Sequence, residues 1–390
     1  MRLSRRAVVS GLGVALASAT LGCRRDEEAS STPESAPTPS QPGESGEGMH
    51  VLILGGTGFL GPHFVREALA RGHRVTLFNR GKTNPHLFPE LEKLRGDRRA
   101  GDLQALEGRR FDAVVDTSGY LPQNVAATAG LLADSGQYLF VSSVSVYRDQ
   151  GQAGLTVGDP VAPHPEPGND DVAQFYGPLK ALCEQAAEDQ MPGRTTVIRP
   201  GLIVGPGDPT DRFTYWPVRL ARGGEVMAPG RPEDPVQLID ARDLAAFMVH
   251  CLEARDFSTY NAVGPAERLG VGEMLRVGAE ALGSSASFVW VPAPFLAEQE
   301  VAPWVEMTVW VPPEDPEFGG LGSVDGSAAV AAGLRHRPLA ETFVDTLADW
   351  RALPEARREA PRAGLPAARE AEVLAAWRAR QAEAEDASAA

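Results

Sequence analysis

Tyr176 and Lys180 are spaced so that together they could carry out acid–base chemistry. On a helix, residues four apart share one face. A free phenol has a pKa near ~10, which is too high for a base at neutral pH, but a nearby ammonium favours the phenolate and lowers that pKa. Tyr176 could then exchange a proton with a hydroxyl or carbonyl oxygen. Because Pro178 lies between the two residues, the sequence predicts that this segment forms the first turn of its helix.

A glycine-rich turn, GGTGFLG, is the second segment whose residue types could do chemistry. It follows the apolar run HVLIL and precedes apolar residues at helical spacing, and dinucleotide binding requires this succession of strand, turn and helix. Gly55 permits the tight turn, Gly58 lets the backbone approach a pyrophosphate, and Gly61 lets helix and strand pack closely. The residues predicted to bind the cofactor here are Gly55, Thr57, Gly58, Phe59, Leu60 and Gly61.

The order of three motifs along the chain resembles a known family. The glycine turn comes first, SSVSVY follows the apolar run YLFV, and YGPLK comes last. This order is similar to that of the extended short-chain dehydrogenase/reductase superfamily, specifically the NAD-dependent epimerase/dehydratase family. The resemblance covers about residues 51–347. It implies an α/β fold with a Rossmann-type doubly wound parallel sheet and a smaller C-terminal substrate-binding lobe.

The resemblance also implies the activity and the catalytic serine. Ser143 would act with Tyr176 and Lys180, although Ser142 and Ser145 stay open as alternatives. The implied reaction is hydride transfer between a nicotinamide cofactor and a hydroxyl or carbonyl of a small molecule, with a sugar or sugar nucleotide among the candidates. The enzyme would be an oxidoreductase or an epimerase/dehydratase. The alternatives are a non-catalytic NAD(P)-binding sensor and an RNA-associated atypical relative.

Further cofactor contacts follow from the same resemblance. In NAD-using relatives an acidic residue at the position of Asn79 binds the adenosine ribose. Here that acid is absent and Arg80 follows, which favours a 2′-phosphate and therefore NADP, with NAD as the alternative. The remaining implied contacts are Asp97 and Arg98 near the adenine, Ser118 and Gly119 where the chain passes the cofactor, Lys180 at the nicotinamide ribose, and Pro200 beside the nicotinamide.

The composition narrows the classes of partner. The 390-residue chain has a formal net charge of −15, a field that repels polyphosphate backbones, so we expect a small-molecule substrate and no nucleic acid. Its three cysteines and seven histidines are scattered, which predicts neither a disulfide framework nor a metal site. The substrate region holds a polar–aromatic stretch at 211–216 and Trp304, which could line a pocket or belong to the core. The sequence leaves open whether the protein is a monomer or a homodimer.

The N-terminal end of the sequence predicts export, and the C-terminal end predicts a helical tail. Residues 1–22 have a basic head and a short apolar stretch, as in a twin-arginine or lipoprotein signal, with Cys23 as the candidate lipid anchor. We therefore expect a protein that is exported, either periplasmic or membrane-anchored on the outer side of the cytoplasmic membrane or on the outer membrane. The predicted boundaries are a disordered linker at 23–48, a dinucleotide-binding domain at 49–205, a substrate lobe interleaved with the end of the sheet at 206–350, and a helical tail at 351–390.

Overall fold

A computed structural model describes residues 48–389 of the chain. The predicted export signal, Cys23 and all of the predicted linker except Gly48 lie outside the described residues. Among the described residues, no helix combines the length and the apolar character needed to cross a membrane.

Thirteen strands and eleven α-helices make up the described part of the chain. The strands are β1 His50–Leu54, β2 Arg74–Asn79, β3 Glu92–Arg95, β4 Ala113–Asp116, β5 Tyr138–Val141, β6 Thr195–Pro200, β7 Ile203–Val204, β8 Gly224–Pro229, β9 Pro235–Val236, β10 Ile239–Asp240, β11 Thr259–Ala262, β12 Leu269–Gly270 and β13 Ala286–Val291. The helices are α1 Leu60–Ala70, α2 Pro122–Leu131, α3 Val172–Gln190, α4 Tyr215–Leu220, α5 Ala241–Glu253, α6 Val271–Ala281, α7 Ala293–Glu298, α8 Ser327–Ala331, α9 Leu339–Ala352, α10 Glu355–Arg358 and α11 Ala367–Ala389.

The central sheet has seven parallel strands in the order β11-β6-β5-β4-β1-β2-β3. Its strands are short apolar runs because both faces are covered by helices. In β1, Val51 and Ile53 pack into the core with α1 and α5, whereas Leu52 and Leu54 pack on the opposite face with α2 and α3. The predicted Rossmann-type doubly wound fold is confirmed.

The strand order reverses between β1 and β4. In an open parallel sheet, ligands bind outside the carboxyl ends of the strands at such a switch point. The chain segments that leave β1, β2, β4, β5 and β6 all emerge at this edge, so the predicted site residues are brought to one side of the sheet.

A second core lies in the C-terminal half of the chain. Three two-stranded pairings, β7 with β10, β9 with β12 and β8 with β13, surround it together with α4, α6 and α9. Trp216, Trp310 and Phe343 are fully buried there. The helical tail docks on this lobe, since Val373 and Leu374 of α11 are buried in the same core.

Candidate active site

The glycine turn after β1 leaves open space beside its backbone. Gly55 and Gly56 adopt φ values of 119° and 84°, which favour glycine, and the Gly55 N–H donates to the Phe78 carbonyl of β2 at 2.9 Å. A Cβ on Gly61 would lie 2.6 Å from the Gly56 backbone, so this position requires glycine for packing. A Cβ on Gly58, by contrast, would meet no atom within 4 Å, and Gly58 is exposed. The turn can therefore receive a ligand at Gly58.

The N-terminus of α1 faces this space with its amide groups available. Its N-cap residue, Phe59, makes no side-chain capping hydrogen bond. Uncapped amides and the helix dipole favour an anion at such an end. Thr57 is buried, and its carbonyl accepts a hydrogen bond from the Asn84 amide at 3.0 Å, which fixes the turn from its outer side. The turn and the helix end fit a pyrophosphate.

Two guanidinium groups lie at the carboxyl end of β2, where the adenosine ribose is expected. Asn79 donates to the Gly55 carbonyl at 2.9 Å, and its own side-chain oxygen accepts from the Arg95 guanidinium. Arg80 is exposed and forms no ion pair with any described residue. Sequence reasoning missed Arg95; the signal lies in the sheet register, because β3 pairs with β2 so that Arg95 is opposite Asn79. The two cations fit a phosphate better than a bare ribose.

The residues that follow β3 and β4 bind one another. Arg98 pairs with the buried Asp116 at 2.6 Å and donates to the Ser118 hydroxyl at 2.9 Å. Desolvation raises the Asp116 pKa, but the Arg98 charge and the hydrogen bonds from Arg98, Ser118 and Tyr138 together outweigh it, so the net pKa is lowered. Ser118 in turn donates to the carbonyl of Leu54 at 2.9 Å, which ties the end of β4 to the end of β1. Asp97 caps a short 3₁₀-helix at Arg98–Ala100. These side chains shape the floor beneath the cofactor cleft.

Three serines follow β5, and their contacts separate them. Ser142 donates to Glu184, which also forms an ion pair with Arg199, so the Ser142 hydroxyl is committed to this pair. Ser143 caps the 3₁₀-helix at Val144–Val146, accepting from the Ser145 N–H at 3.1 Å and donating to the Ser145 hydroxyl at 3.0 Å. Ser143 is also the serine close enough to Tyr176 for its hydroxyl to lower the pKa of that phenol. The geometry favours Ser143 among the three.

The helix that carries the Tyr-x-x-x-Lys motif is kinked just before the tyrosine. Phe175 has non-helical angles (φ −118°, ψ 31°), so Pro178 falls in the first turn of the segment after the kink, where its missing N–H is tolerated. Gly177 is required because a Cβ there would clash with the Ser145 carbonyl oxygen. This close approach brings the start of the helix against the serine-rich loop, which is why Tyr176 meets Ser143.

The phenol of Tyr176 is half-buried at the mouth of this site. Burial raises its pKa, while hydrogen bonding from Ser143 and the positive charge of Arg212 act in the opposite direction. A second phenol, that of Tyr120, lies beside it with a ring-centroid distance of 6.5 Å. The pKa of Tyr176 is therefore raised, and not lowered as the spacing to Lys180 predicted, so at neutral pH the hydroxyl is protonated and able to donate.

Lys180 lies deeper, one turn along the same helix. Its ammonium donates to the carbonyls of Gly119 at 2.8 Å and Val141 at 2.6 Å, and it sits 4.1 Å from the centroid of the Phe140 ring. Burial lowers the pKa of Lys180 to about 8. An ammonium has three donors, so one remains after the two carbonyls are satisfied. Pro200, the last residue of β6, is buried nearby in the sheet's carboxyl edge.

The polar–aromatic stretch 211–216 divides between the site and the core. Phe213 and Trp216 are fully buried, and the Trp216 indole donates to the Thr308 carbonyl at 2.9 Å. Arg212 faces the other way: its guanidinium lies 5.6 Å from the centroid of the Trp304 ring. Arg212 therefore links the two regions, since its charge acts on the pKa of Tyr176 while its guanidinium packs on Trp304 of the lobe core.

The chain resembles known proteins across most of this architecture. Residues 51–263 match the NAD dependent epimerase/dehydratase family. The chain is 29% identical over 220 residues to the chloroplast stem-loop binding protein of 41 kDa b from Arabidopsis thaliana, a match that spans 52% of this chain and 54% of that protein. It is 29% identical over 283 residues to the epimerase family protein SDR39U1 from Bos taurus, which spans 65% of this chain and 86% of that protein.

A solved structure shares the fold. Human SDR39U1, crystallised with NADPH, superposes with a TM-score of 0.51 at 23% identity, covering 77% of this chain and 99% of that one.

Proposed function

Because this chain belongs to the NAD-dependent epimerase/dehydratase family, we propose that it is an NADP-dependent hydride-transfer enzyme with Ser143, Tyr176 and Lys180 as its catalytic residues. Its substrate would be a small molecule with a hydroxyl or carbonyl group, with sugars and sugar nucleotides among the candidates. The observation that carries the proposal is that Lys180, one turn after Tyr176 on the same helix, donates to the Gly119 carbonyl at 2.8 Å, at the edge of the sheet where Gly58 of the glycine turn faces open space.

The cofactor would be held by elements that the cleft already provides. Gly58 and the amides at the start of α1 suit the pyrophosphate. The cations of Arg80 and Arg95, with no carboxylate at position 79, support NADP over NAD. The family's use of NAD keeps NAD as the alternative. When bound, the nicotinamide supplies the hydride donor or acceptor.

The chain's own residues would manage the proton. Tyr176, whose pKa is raised by burial, would donate its proton to a carbonyl oxygen as that oxygen gains charge, or take it back in the reverse direction. Ser143 would rotate its hydroxyl from Ser145 and donate a hydrogen bond to the same oxygen. Lys180, held by two backbone carbonyls, would direct its remaining donor toward the cofactor ribose. These roles need no metal.

Cofactor binding and turnover test the proposal separately. We expect NADPH to raise the melting temperature of the protein more than NADH does, and Arg80→Ala with Arg95→Ala to remove that preference. A carbonyl and sugar-nucleotide panel with NADPH, followed at the nicotinamide absorbance, identifies a substrate. Tyr176→Phe should then lower kcat by about 10²–10⁴-fold while NADPH still stabilises the protein.

The alternatives predict different outcomes. Stabilisation by NADPH without turnover across the panel would favour a non-catalytic sensor. The name of the Arabidopsis relative raises nucleic-acid binding, against which the net charge of −15 argues. Salt-sensitive binding of a stem-loop RNA by the purified protein, together with absent turnover, would favour that alternative. Equal kcat for Tyr176→Phe and the native enzyme would exclude the catalytic role.

A further inference from the structure

Among the buried polar atoms that have no hydrogen-bond partner in the described residues, three belong to a group of side chains around Arg212 on the lobe side of the cleft. They are Oδ2 of Asp208, Nη1 of Arg212 and Nε1 of Trp304. Asp208 is 9% exposed and Trp304 is 5% exposed. A buried polar atom without a partner destabilises the folded chain, because it loses its hydrogen bonds to water and gains none in return. Three such atoms on neighbouring side chains mark a place that a ligand completes.

Thr210 holds two of these side chains apart. Its hydroxyl donates to Oδ1 of Asp208 at 2.7 Å and accepts from Nε of Arg212 at 3.2 Å. Asp208 and Arg212 influence each other's pKa, yet they form no ion pair within 4 Å. Their free atoms therefore remain available. The indole of Trp304 lies under the Arg212 guanidinium, with its own N–H as a second donor.

The backbone on both sides of this cluster is held in a rarely populated conformation. Asp211 has φ 61° and Trp304 has φ 66°, in the left-handed region that residues other than glycine seldom adopt. An ion pair of 2.6 Å between Asp211 and Arg357 fixes the first of these. Strain of this kind persists where the surrounding structure enforces it, and it concentrates at ligand sites.

The cluster also adjoins the proposed catalytic tyrosine. The guanidinium of Arg212 is close enough to lower the pKa of Tyr176. A substrate whose reacting carbon lies at Tyr176 would therefore place its neighbouring substituent between Arg212, Trp304 and Asp208. That substituent meets two donors and one acceptor. A hydroxyl satisfies all three, because it accepts and donates. A carboxylate or phosphate would satisfy the donors but would face the Asp208 carboxylate.

We propose that Asp208, Arg212 and Trp304 form a specificity subsite that binds a neutral hydroxyl next to the reacting carbon and rejects an anionic group there. The proposal rests on the proposed function, because it takes Tyr176 as the point of reaction. It assigns these three residues to substrate positioning rather than to proton transfer.

Three ring alcohols that differ only beside the reacting carbon test the subsite. The probes are trans-1,2-cyclohexanediol, cyclohexanol and 2-hydroxycyclohexanecarboxylate, titrated by NMR into the full chain with NADP⁺ added. We expect the diol to bind about tenfold more tightly than cyclohexanol, because its second hydroxyl adds a charge-assisted hydrogen bond. We expect the acid to bind more weakly than the diol. Equal affinities, absence of binding by all three probes, or tightest binding by the acid would overturn the subsite.

Conservative variants locate the effect. Asp208→Asn keeps an oxygen for Thr210 but removes the charge, so it should bind the acid about tenfold more tightly than the native protein does. Arg212→Lys shortens the reach and loses the planar fork, so it should lose about tenfold in diol affinity. Arg222→Lys, an exposed change beyond the end of α4, is the matched control and should bind every probe as the native protein does. Unchanged selectivity in both Asp208→Asn and Arg212→Lys would overturn the assignment.

The two proposals fail in distinguishable ways. If NADPH stabilises the protein and Tyr176→Phe abolishes turnover while the probes bind equally, the subsite is wrong and the enzyme proposal stands. If the probes bind in the expected order but Tyr176→Phe retains full turnover of the panel substrate, the subsite stands and the catalytic assignment is wrong.

Discussion

The cleft lies between the carboxyl edge of the central sheet (the sheet side) and the C-terminal lobe (the lobe side), and these two sides differ in whether their buried polar groups have protein partners. On the sheet side, Lys180 satisfies two carbonyls and Arg199 forms a bidentate pair with Glu184. On the lobe side, Asp208 and Arg212 each keep a buried atom without a partner. The charged groups of the sheet side thus have protein partners, with one Lys180 donor left over, whereas Asp208 and Arg212 each leave a buried atom with no partner among the described residues.

This difference follows from what each side must bind. In the proposed function a dinucleotide would be recognised by backbone amides and a glycine turn, so the side chains around it can be committed to holding the strand ends in register. A substrate is recognised by side chains that must be free to bind it. The unpaired atoms of Asp208, Arg212 and Trp304 therefore lower the stability of the lobe, whereas the buried charges of the sheet side are paired. Four experiments test this contrast.

Breaking a paired charge on the sheet side should have the largest effect. Arg199→Met leaves Glu184 buried with its carboxylate lacking a cation, which costs about 3–5 kcal/mol in the free energy of unfolding. Urea denaturation measures the loss. Arg148→Met, in an exposed pair with Asp149, is the control and should change the free energy of unfolding by less than about 1 kcal/mol. Equal losses for the two variants would contradict the view that burial makes the Glu184 pair indispensable.

Lys180 makes the sheet side sensitive to pH. Its pKa is about 8 in the folded chain against an ordinary value of 10.5, so between these pH values the unfolded chain binds more protons and stability rises with pH. The native protein should therefore gain on the order of 3 kcal/mol relative to Lys180→Met from pH 8 to pH 10.5. Denaturation of both proteins without cofactor across this range measures the difference. A difference that stays constant would show that burial does not lower the pKa of Lys180.

Two glycines of the same turn separate folding from binding. Gly61→Ala places a Cβ 2.6 Å from the Gly56 backbone and should lower the free energy of unfolding by about 1–3 kcal/mol. Gly58→Ala meets no protein atom within 4 Å, so it should leave stability unchanged within about 1 kcal/mol while weakening NADPH binding. Denaturation and cofactor titration of both variants provide the test. If Gly58→Ala binds NADPH with the affinity of the native protein, the pyrophosphate does not bind at this turn.

The sheet side could be predicted from the sequence because its signals are local. The apolar run YLFV predicts β5 with its exact bounds, and the glycine turn predicts the start of α1, since each element is specified by consecutive residues. Pro178 predicts that a helical segment starts just before it, and the kink at Phe175 starts such a segment. The kink itself has no signal in the sequence. Arg95 was missed because its position beside Asn79 depends on strand register, which pairing between distant segments decides.

The lobe side could not be predicted in the same way. Trp304 reaches Arg212 across about ninety residues, and no periodic pattern links the two segments. The stretch 211–216 indicated a pocket or a core without distinguishing them, and the structure uses it for both: Arg212 faces the site and Trp216 the core. Which polar groups stay unpaired depends on packing around them, so composition and spacing carry no information about it.

The smallest effect compares two tryptophans of the lobe. Trp310 donates its indole N–H to Asp234 at 3.0 Å, whereas the indole N–H of Trp304 is buried without a partner. Replacement by phenylalanine removes the indole N–H at both positions and reduces the side-chain volume by a similar amount. The difference between Trp310→Phe and Trp304→Phe therefore isolates the hydrogen bond from Trp310 to Asp234. We expect Trp310→Phe to cost about 1–2 kcal/mol more in the free energy of unfolding than Trp304→Phe. Thermal and urea denaturation measure both. If Trp304→Phe costs as much as Trp310→Phe, the Trp304 N–H has a partner in solution, and the contrast between the two sides of the cleft loses one of its three supporting atoms.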